Sequence, residues 1–175
     1  MRDFLGSKME NAEAERRFQD ATKRLLRLIP PCLLQEMLAQ DTCELEEDFL
    51  GFMEPYDAVS RFLPEKYEVI DFGCYMAAQA FFFQNHRRYV GVDVYDEKLQ
   101  RFSTKNSFMI SGKIQEVLNW FPTSSYAICS AVPDFDAVEL VKERFPNHCI
   151  TYPGKTDDIA GVRAEEIQKF LRRVG

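Results

Sequence analysis

From Pro64 to Tyr152 the chain alternates short, β-branched apolar runs with stretches of helical period, and this alternation constrains the fold more than any other feature. The runs are YEVIDF, RYVGVDV, SFMIS, YAICSAV and HCITY. Between them stand AAQAFFFQN, DEKLQRFSTK, IQEVLNWF and FDAVELVKERF, each long enough for a crossover helix. Strands this apolar are buried on both faces, and helices between them carry the chain back to start each new strand in the same direction. The pattern therefore predicts an α/β fold: a doubly wound, mostly parallel five-stranded sheet with helices on both faces. A closing helix is predicted over DDIAGVRAEEIQKFLRR, with Thr156, Asp157 and Asp158 at its start and Arg172 and Arg173 at its end, as the helix dipole favours. Nothing in this reading pairs with the outer edge of the fifth strand, which leaves that edge exposed. A protein partner or a homo-oligomer is compatible with such an edge.

Ahead of the sheet, residues 1–63 read as an N-terminal helical extension and residues 64–175 as the Rossmann-like domain. Phe18, Thr22, Leu25, Leu26 and Ile29 fall at three- and four-residue steps within a helix from Ser7 to Ile29, which Pro30 and Pro31 end. CLLQEMLAQ gives a second helix. DTCELEEDFLGF gives a third, since Asp41 and Glu44 have capping-box spacing, and Tyr56 to Leu63 gives a fourth. Every charged residue between Leu28 and Ser60 is acidic. With no His among them, these acids read as a solvated helix face or a surface for a basic partner rather than a metal site.

A net charge of −6 argues against general nucleic-acid binding, whose affinity comes from clustered Lys and Arg. The five cysteines are odd in number and lack C-x-x-C spacing, so reduced thiols are expected. No segment has the roughly 18 uncharged apolar residues that a membrane-spanning helix requires, and a soluble cytoplasmic protein is expected.

In open parallel sheets, ligands sit beyond the carboxyl ends of the strands, and the turn after the first strand is the usual anchor. Here that turn is DFGCYMA. Asp71 and Gly73 stand at the strand end, and Asp93 ends the next strand in GVD. An ionised carboxylate there is suited to accept the two hydroxyl protons of a ribose.

With VIDFGC as a glycine-rich first motif and YVGVDV as a ribose-binding acid, the chain resembles the class I S-adenosylmethionine-dependent methyltransferases from about Tyr56 to Tyr152. The resemblance implies S-adenosylmethionine as cofactor and an unidentified methyl acceptor. It implies a cofactor site at Asp71, Gly73, Cys74, Tyr75, Asp93 and Val94, with Asp71 and Gly73 shaping the methionine end and Asp93 holding the ribose. No catalytic residue follows from it. The family's pattern is D-x-G-x-G-x-G, whereas this chain has Tyr75 and Ala77 at the second and third glycine positions. A Tyr forced to positive φ costs about 1 to 2 kcal/mol and projects a ring toward the cofactor. After the third strand the family often has an acid near the adenine; this chain has Lys113, which only donates. The family also closes its sheet with an antiparallel hairpin, which is not expected here. Tyr75, Ala77 and Lys113 thus favour a methyltransferase-fold binding or regulatory protein that has lost the cofactor, and Asp93 favours one that has kept it.

Other motifs carry less. CITYPGKT ends like a phosphate-binding loop but has Cys149 where G-x-x-x-x-G-K-[ST] needs glycine. A nicotinamide dinucleotide site is missing G-x-G-x-x-G. Cys74 reads as a small buried residue, and His86 and His148 as cap or surface residues. Phe81, Phe82, Phe83, Trp120 and Phe121 read as core, and Asp134 or Asp136 as a helix cap in preference to a base.

Overall fold

Every residue of β1 (Glu68–Phe72) is buried, as expected for a central strand covered on both faces. The computed structural model describes residues 2–40, 53–75, 77–94, 104–130, 132–151 and 158–160. β1 is flanked by two parallel partners. β2 (Arg88–Asp93) pairs with it from Glu68↔Arg88 to Phe72↔Val92, and β4 (Tyr126–Ser130) from Val69↔Tyr126 to Phe72↔Cys129. β3 (Ser107–Ser111) lies outside β2, and β5 (His148–Thr151) outside β4, both parallel. The strand order β3-β2-β1-β4-β5 reverses direction between β1 and β4, the doubly wound arrangement that the alternation predicts.

The edge at β5 differs from the expectation. A sixth strand, β6 (Asp158–Ala160), pairs antiparallel with β5 through Cys149↔Ile159, so the sheet has six strands and its fifth is not an edge. The predicted closing helix therefore does not begin at Asp157. Two branched or apolar positions near a strand partner outweigh the capping residues that suggested a helix start, since Ile159 completes the β5 ladder. The remainder of that predicted helix lies outside the described residues.

Helices cover both faces. On one lie α1 (Arg2–Leu28) and α3 (Met53–Phe62), with α2 (Pro31–Gln40) following the Pro30 break as predicted. On the other lie α4 (Ile114–Val117), continued by a 3-10 turn Leu118–Trp120, and α5 (Phe135–Arg144). Alternation along β1 divides the core. Val69 joins Leu25, Tyr56, Val59, Phe83 and Tyr126 on the first face, while Ile70 and Phe72 join Val117, Phe121, Val141 and Phe145 on the second. The helices before residue 64 thus share a core with the sheet. The predicted helix at 41–52 lies outside the described residues, as does the one at 96–105 except for Thr104 and Lys105, which are not helical.

Several expectations need correction. AAQAFFFQN forms a 3-10 helix, Ala78–Phe83, and all six of its residues are buried. His86 and His148 are buried and bonded to the carbonyls of Leu63 and Phe145, not exposed at caps. Trp120 is 66% exposed, although Phe121 is core. Asp57 is not on a solvated face; it is buried between α1 and α3, where it binds Arg24 and Arg61. No helix among the described residues is long and apolar enough to cross a membrane.

Candidate functional site

The turn after β1 is built almost entirely from backbone. The N–H groups of Gly73 and Cys74 both donate to the Val92 carbonyl of β2, at 2.8 and 3.2 Å. The Cys74 carbonyl in turn accepts from the Ala77 N–H at 2.8 Å and from Gln79 Nε2 at 2.9 Å. To follow this path, Gly73, Tyr75 and Ala77 all take positive φ, at 79°, 50° and 57°. The three alternate positions that a D-x-G-x-G-x-G motif reserves for glycine thus keep a glycine-like backbone, with Tyr and Ala at two of them. Left-handed conformations cost an L-residue about 1 to 2 kcal/mol, so the surrounding structure must hold these two in place.

Asp93 ends β2 beside this turn. Its Oδ2 accepts the Tyr75 N–H at 2.8 Å and its Oδ1 the Val94 N–H at 2.6 Å. The carboxylate is partly exposed, and Val94 is 55% exposed on the same rim. Gly73 and Asp93 therefore meet at one rim of the sheet, on neighbouring strand tips. On the other side of the turn, a Cβ at Gly73 would stand 2.4 Å from Val132 Cγ2, so the loop after β4 packs directly onto this glycine.

Asp71 and Cys74 lie beneath the rim. Asp71 is fully buried and accepts hydrogen bonds from the Tyr56 hydroxyl at 3.0 Å, from Gln79 Nε2 at 2.7 Å and from the Tyr89 hydroxyl. Burial pushes its pKa up to about 6 against the opposing effect of these three donors. Cys74 is also buried, and burial followed by the nearby Asp71 carboxylate pushes its thiol well above the ordinary range, so it is no thiolate nucleophile. Neither side chain reaches the surface; any part they have in ligand binding acts through the turn they hold. The Cys74 sulfur rests over Gly91 of β2, where a Cβ would come within 2.7 Å of both Cys74 Sγ and Met109 Sδ.

Tyr56, Gln79 and Tyr89 are the residues that reading the sequence missed. The one available signal was Gln79, a lone polar residue inside AAQAFFF, because a buried amide needs partners. Tyr56 comes from α3, so a helix of the N-terminal region touches the base of the turn. Asp134 is a cap: its side chain accepts the Ala137 N–H at 3.0 Å and the Gln115 amide. Lys113 precedes α4, and Glu116 accepts its backbone N–H at 3.3 Å.

No family model matches this chain, and no curated protein matches it in sequence. Among solved structures it is similar to a precorrin-6y C5,15-methyltransferase from Geobacter metallireducens GS-15, at 13% identity and TM-score 0.45 over 68% of each chain. It is also similar to the plantazolicin methyltransferase BamL, solved with a triazolic desmethylPZN analog and SAH, at 14% identity and TM-score 0.43 over 83% of this chain and 58% of that one. For WbdD the values are 18% and 0.41, over 63% of this chain and 29% of that one. Likenesses this distant carry no weight by themselves. The strand order, the switch point between β1 and β4, and the antiparallel strand beside β5 do. The fold is a doubly wound, Rossmann-like α/β fold. The antiparallel pairing that the sequence did not lead one to expect is present in short form as β6.

Proposed function

We propose that this methyltransferase-like protein binds S-adenosylmethionine at the turn after β1, with Asp93 accepting the ribose hydroxyls, and transfers its methyl group to an acceptor not yet identified. One observation carries this reading: residues 73, 75 and 77 keep a strained, glycine-like backbone that delivers the Tyr75 N–H to a partly exposed Asp93. Strain retained at the switch point of a doubly wound sheet is a pointer to a ligand site. The residues fit the ribose end of the cofactor, because an ionised carboxylate at the rim is an acceptor-only group. The sulfonium cofactor supplies an activated methyl group, so the chain's own task is to orient cofactor and acceptor in line. Gly73, Tyr75 and Val94 would line the site around Asp93, with Asp71 and Cys74 supporting it from below.

A second reading is favoured by Tyr75 and Val132. The tyrosine brings a side chain to a position where glycine admits the cofactor, and Val132 fills the space above Gly73. On that reading the protein is a non-catalytic binding or regulatory module that no longer takes the cofactor. Calorimetric titration with S-adenosylhomocysteine separates the two. Saturable binding, weakened about tenfold or more by Asp93→Ala, supports the first. Absence of binding, restored by Tyr75→Gly, supports the second and overturns the first. Absence of binding in both proteins removes the cofactor from either account.

A further inference from the structure

At the opposite end of the sheet, where β1, β2 and β4 begin, a cleft of about 250 Å³ opens among Lys66, Glu68, Arg87, Arg88, Ser124 and Ser125. It is separated from the turn at Gly73 by the full length of the parallel strands, which start here and end there. Its chemistry is the reverse of the rest of the molecule. Three cations and one acid line it, in a chain whose overall charge is −6.

That acid is already committed. Glu68 is 8% exposed; its Oε1 accepts the Ser125 hydroxyl at 3.0 Å, and its Oε2 holds the Arg88 guanidinium. Arg88 is thereby fixed in orientation, with its guanidinium also 5.9 Å from the Phe108 ring centre. Lys66 and Arg87 form no ion pair among the described residues, and the Lys66 ammonium lies 5.6 Å from the Tyr67 ring centre. The backbone under Arg87 is pinned to the Glu65 carbonyl at 2.6 Å. The cleft thus presents two cations that have no ion-pair partner among the described residues, and the exposed Ser124 hydroxyl, from three separate strand starts. The groove between α1 and α3 differs, because Glu54 and Asp57 answer its Arg17 and Arg61.

A concave wall of low polarisability concentrates the field of such charges, and guanidinium and ammonium donors match the oxygens of a tetrahedral dianion. We propose that this cleft binds the phosphate end of a small phosphorylated ligand. Two excess charges balance a phosphate dianion, and a volume of about 250 Å³ suits a phosphate or pyrophosphate group with a short appendage. The negative charge of the remaining chain disfavours the long polyanion of a nucleic acid. This proposal is independent of the cofactor reading, which concerns the other rim.

The test is titration of the ¹⁵N-labelled full chain with inorganic pyrophosphate at low ionic strength, followed by amide shifts. Saturable shifts at Lys66, Arg87 and Ser124 are expected. The Lys66→Ala/Arg87→Ala double variant should bind about tenfold more weakly or worse, while Arg27→Ala, which removes an exposed charge from α1, should bind as the parent does. Both altered side chains in the cleft are exposed, and the amide spectrum reports whether the fold is kept. The proposal is overturned by an absence of saturable shifts, by an equal response to sodium chloride at matched ionic strength, or by acetate binding as tightly as pyrophosphate. It is also overturned, in favour of a nucleic-acid surface, if a short single-stranded oligonucleotide binds more tightly with shifts spreading beyond the cleft.

Discussion

The two faces of the sheet are built from the same central strand by opposite means. Toward α4 and α5, Ile70 and Phe72 meet a dry core in which Phe72 packs edge-on to Phe121, at 5.9 Å between ring centres and 77°, and tilted against Phe145 at 5.8 Å. Toward α1 and α3, one residue along, Asp71 places a carboxylate in an equally buried position and surrounds it with two phenols and an amide. The first arrangement gains from burial and packing alone. The second spends part of that gain on desolvating a charge, and in return ties a helix, a strand and the 3-10 segment to the base of one turn. The contrast teaches that the polar anchoring of the candidate site comes from one face, while the other face meets the turn through apolar packing of Val132 on Gly73.

Removing the apolar side should cost most. Phe72→Ala is expected to lower stability by about 3 to 5 kcal/mol, read from urea unfolding, and by the same amount across mildly acidic and neutral pH. A loss that varies with pH would show that the dry face is coupled to the polar one.

The polar side should carry a pH signature of the opposite kind. Asp71 has its pKa raised from 3.8 to about 6 in the folded protein, so the folded state binds more protons than the unfolded chain between those values. Stability contributed by this group therefore falls as pH rises from about 4 to about 6 and is level above that, a change on the order of 3 kcal/mol. Urea midpoints measured stepwise through this window should slope more steeply downward with pH in the parent than in Asp71→Asn. Equal slopes would mean that the carboxylate is better solvated than its burial implies.

The smallest effect concerns what the polar side holds. Ala77 sits at φ 57° between the turn and the buried 3-10 helix. Ala77→Gly should relieve that backbone and raise stability by about 1 kcal/mol by thermal unfolding. A destabilisation instead would show that the Ala77 methyl group matters more to the first core than its backbone strain.

Much of this architecture was legible because strand and helix signals are local. SFMIS matches β3 residue for residue, and the four other predicted strands appear in order within a residue or two of their ends. β6 was not legible, because a three-residue strand is specified by the neighbour it pairs with and not by its own period. The strand and helix alternation predicts a helix at AAQAFFFQN, but a segment buried between α1, α3 and β2 takes the tighter 3-10 path over Ala78–Phe83. At the site, Gly73 and Asp93 were readable from spacing. The environment of Asp71 was not, because Tyr56, Gln79 and Tyr89 come from three different elements, and only the fold brings their polar atoms together. The basic cleft was hidden for a similar reason: Lys66, Arg87 and Ser124 are scattered in the chain, and an overall negative charge masked them.

Gly91 sets a boundary on how the loop beyond β1 can behave. The absent methyl leaves a notch in the face of β2, and the sulfurs of Cys74 and Met109 both reach into it. A peg seated in a notch cannot slide sideways; it has to be lifted out before the loop can adopt another course. Rearrangement of the rim therefore begins with a vertical step, and the composition of a strand, not the loop's own residues, fixes how high that step is.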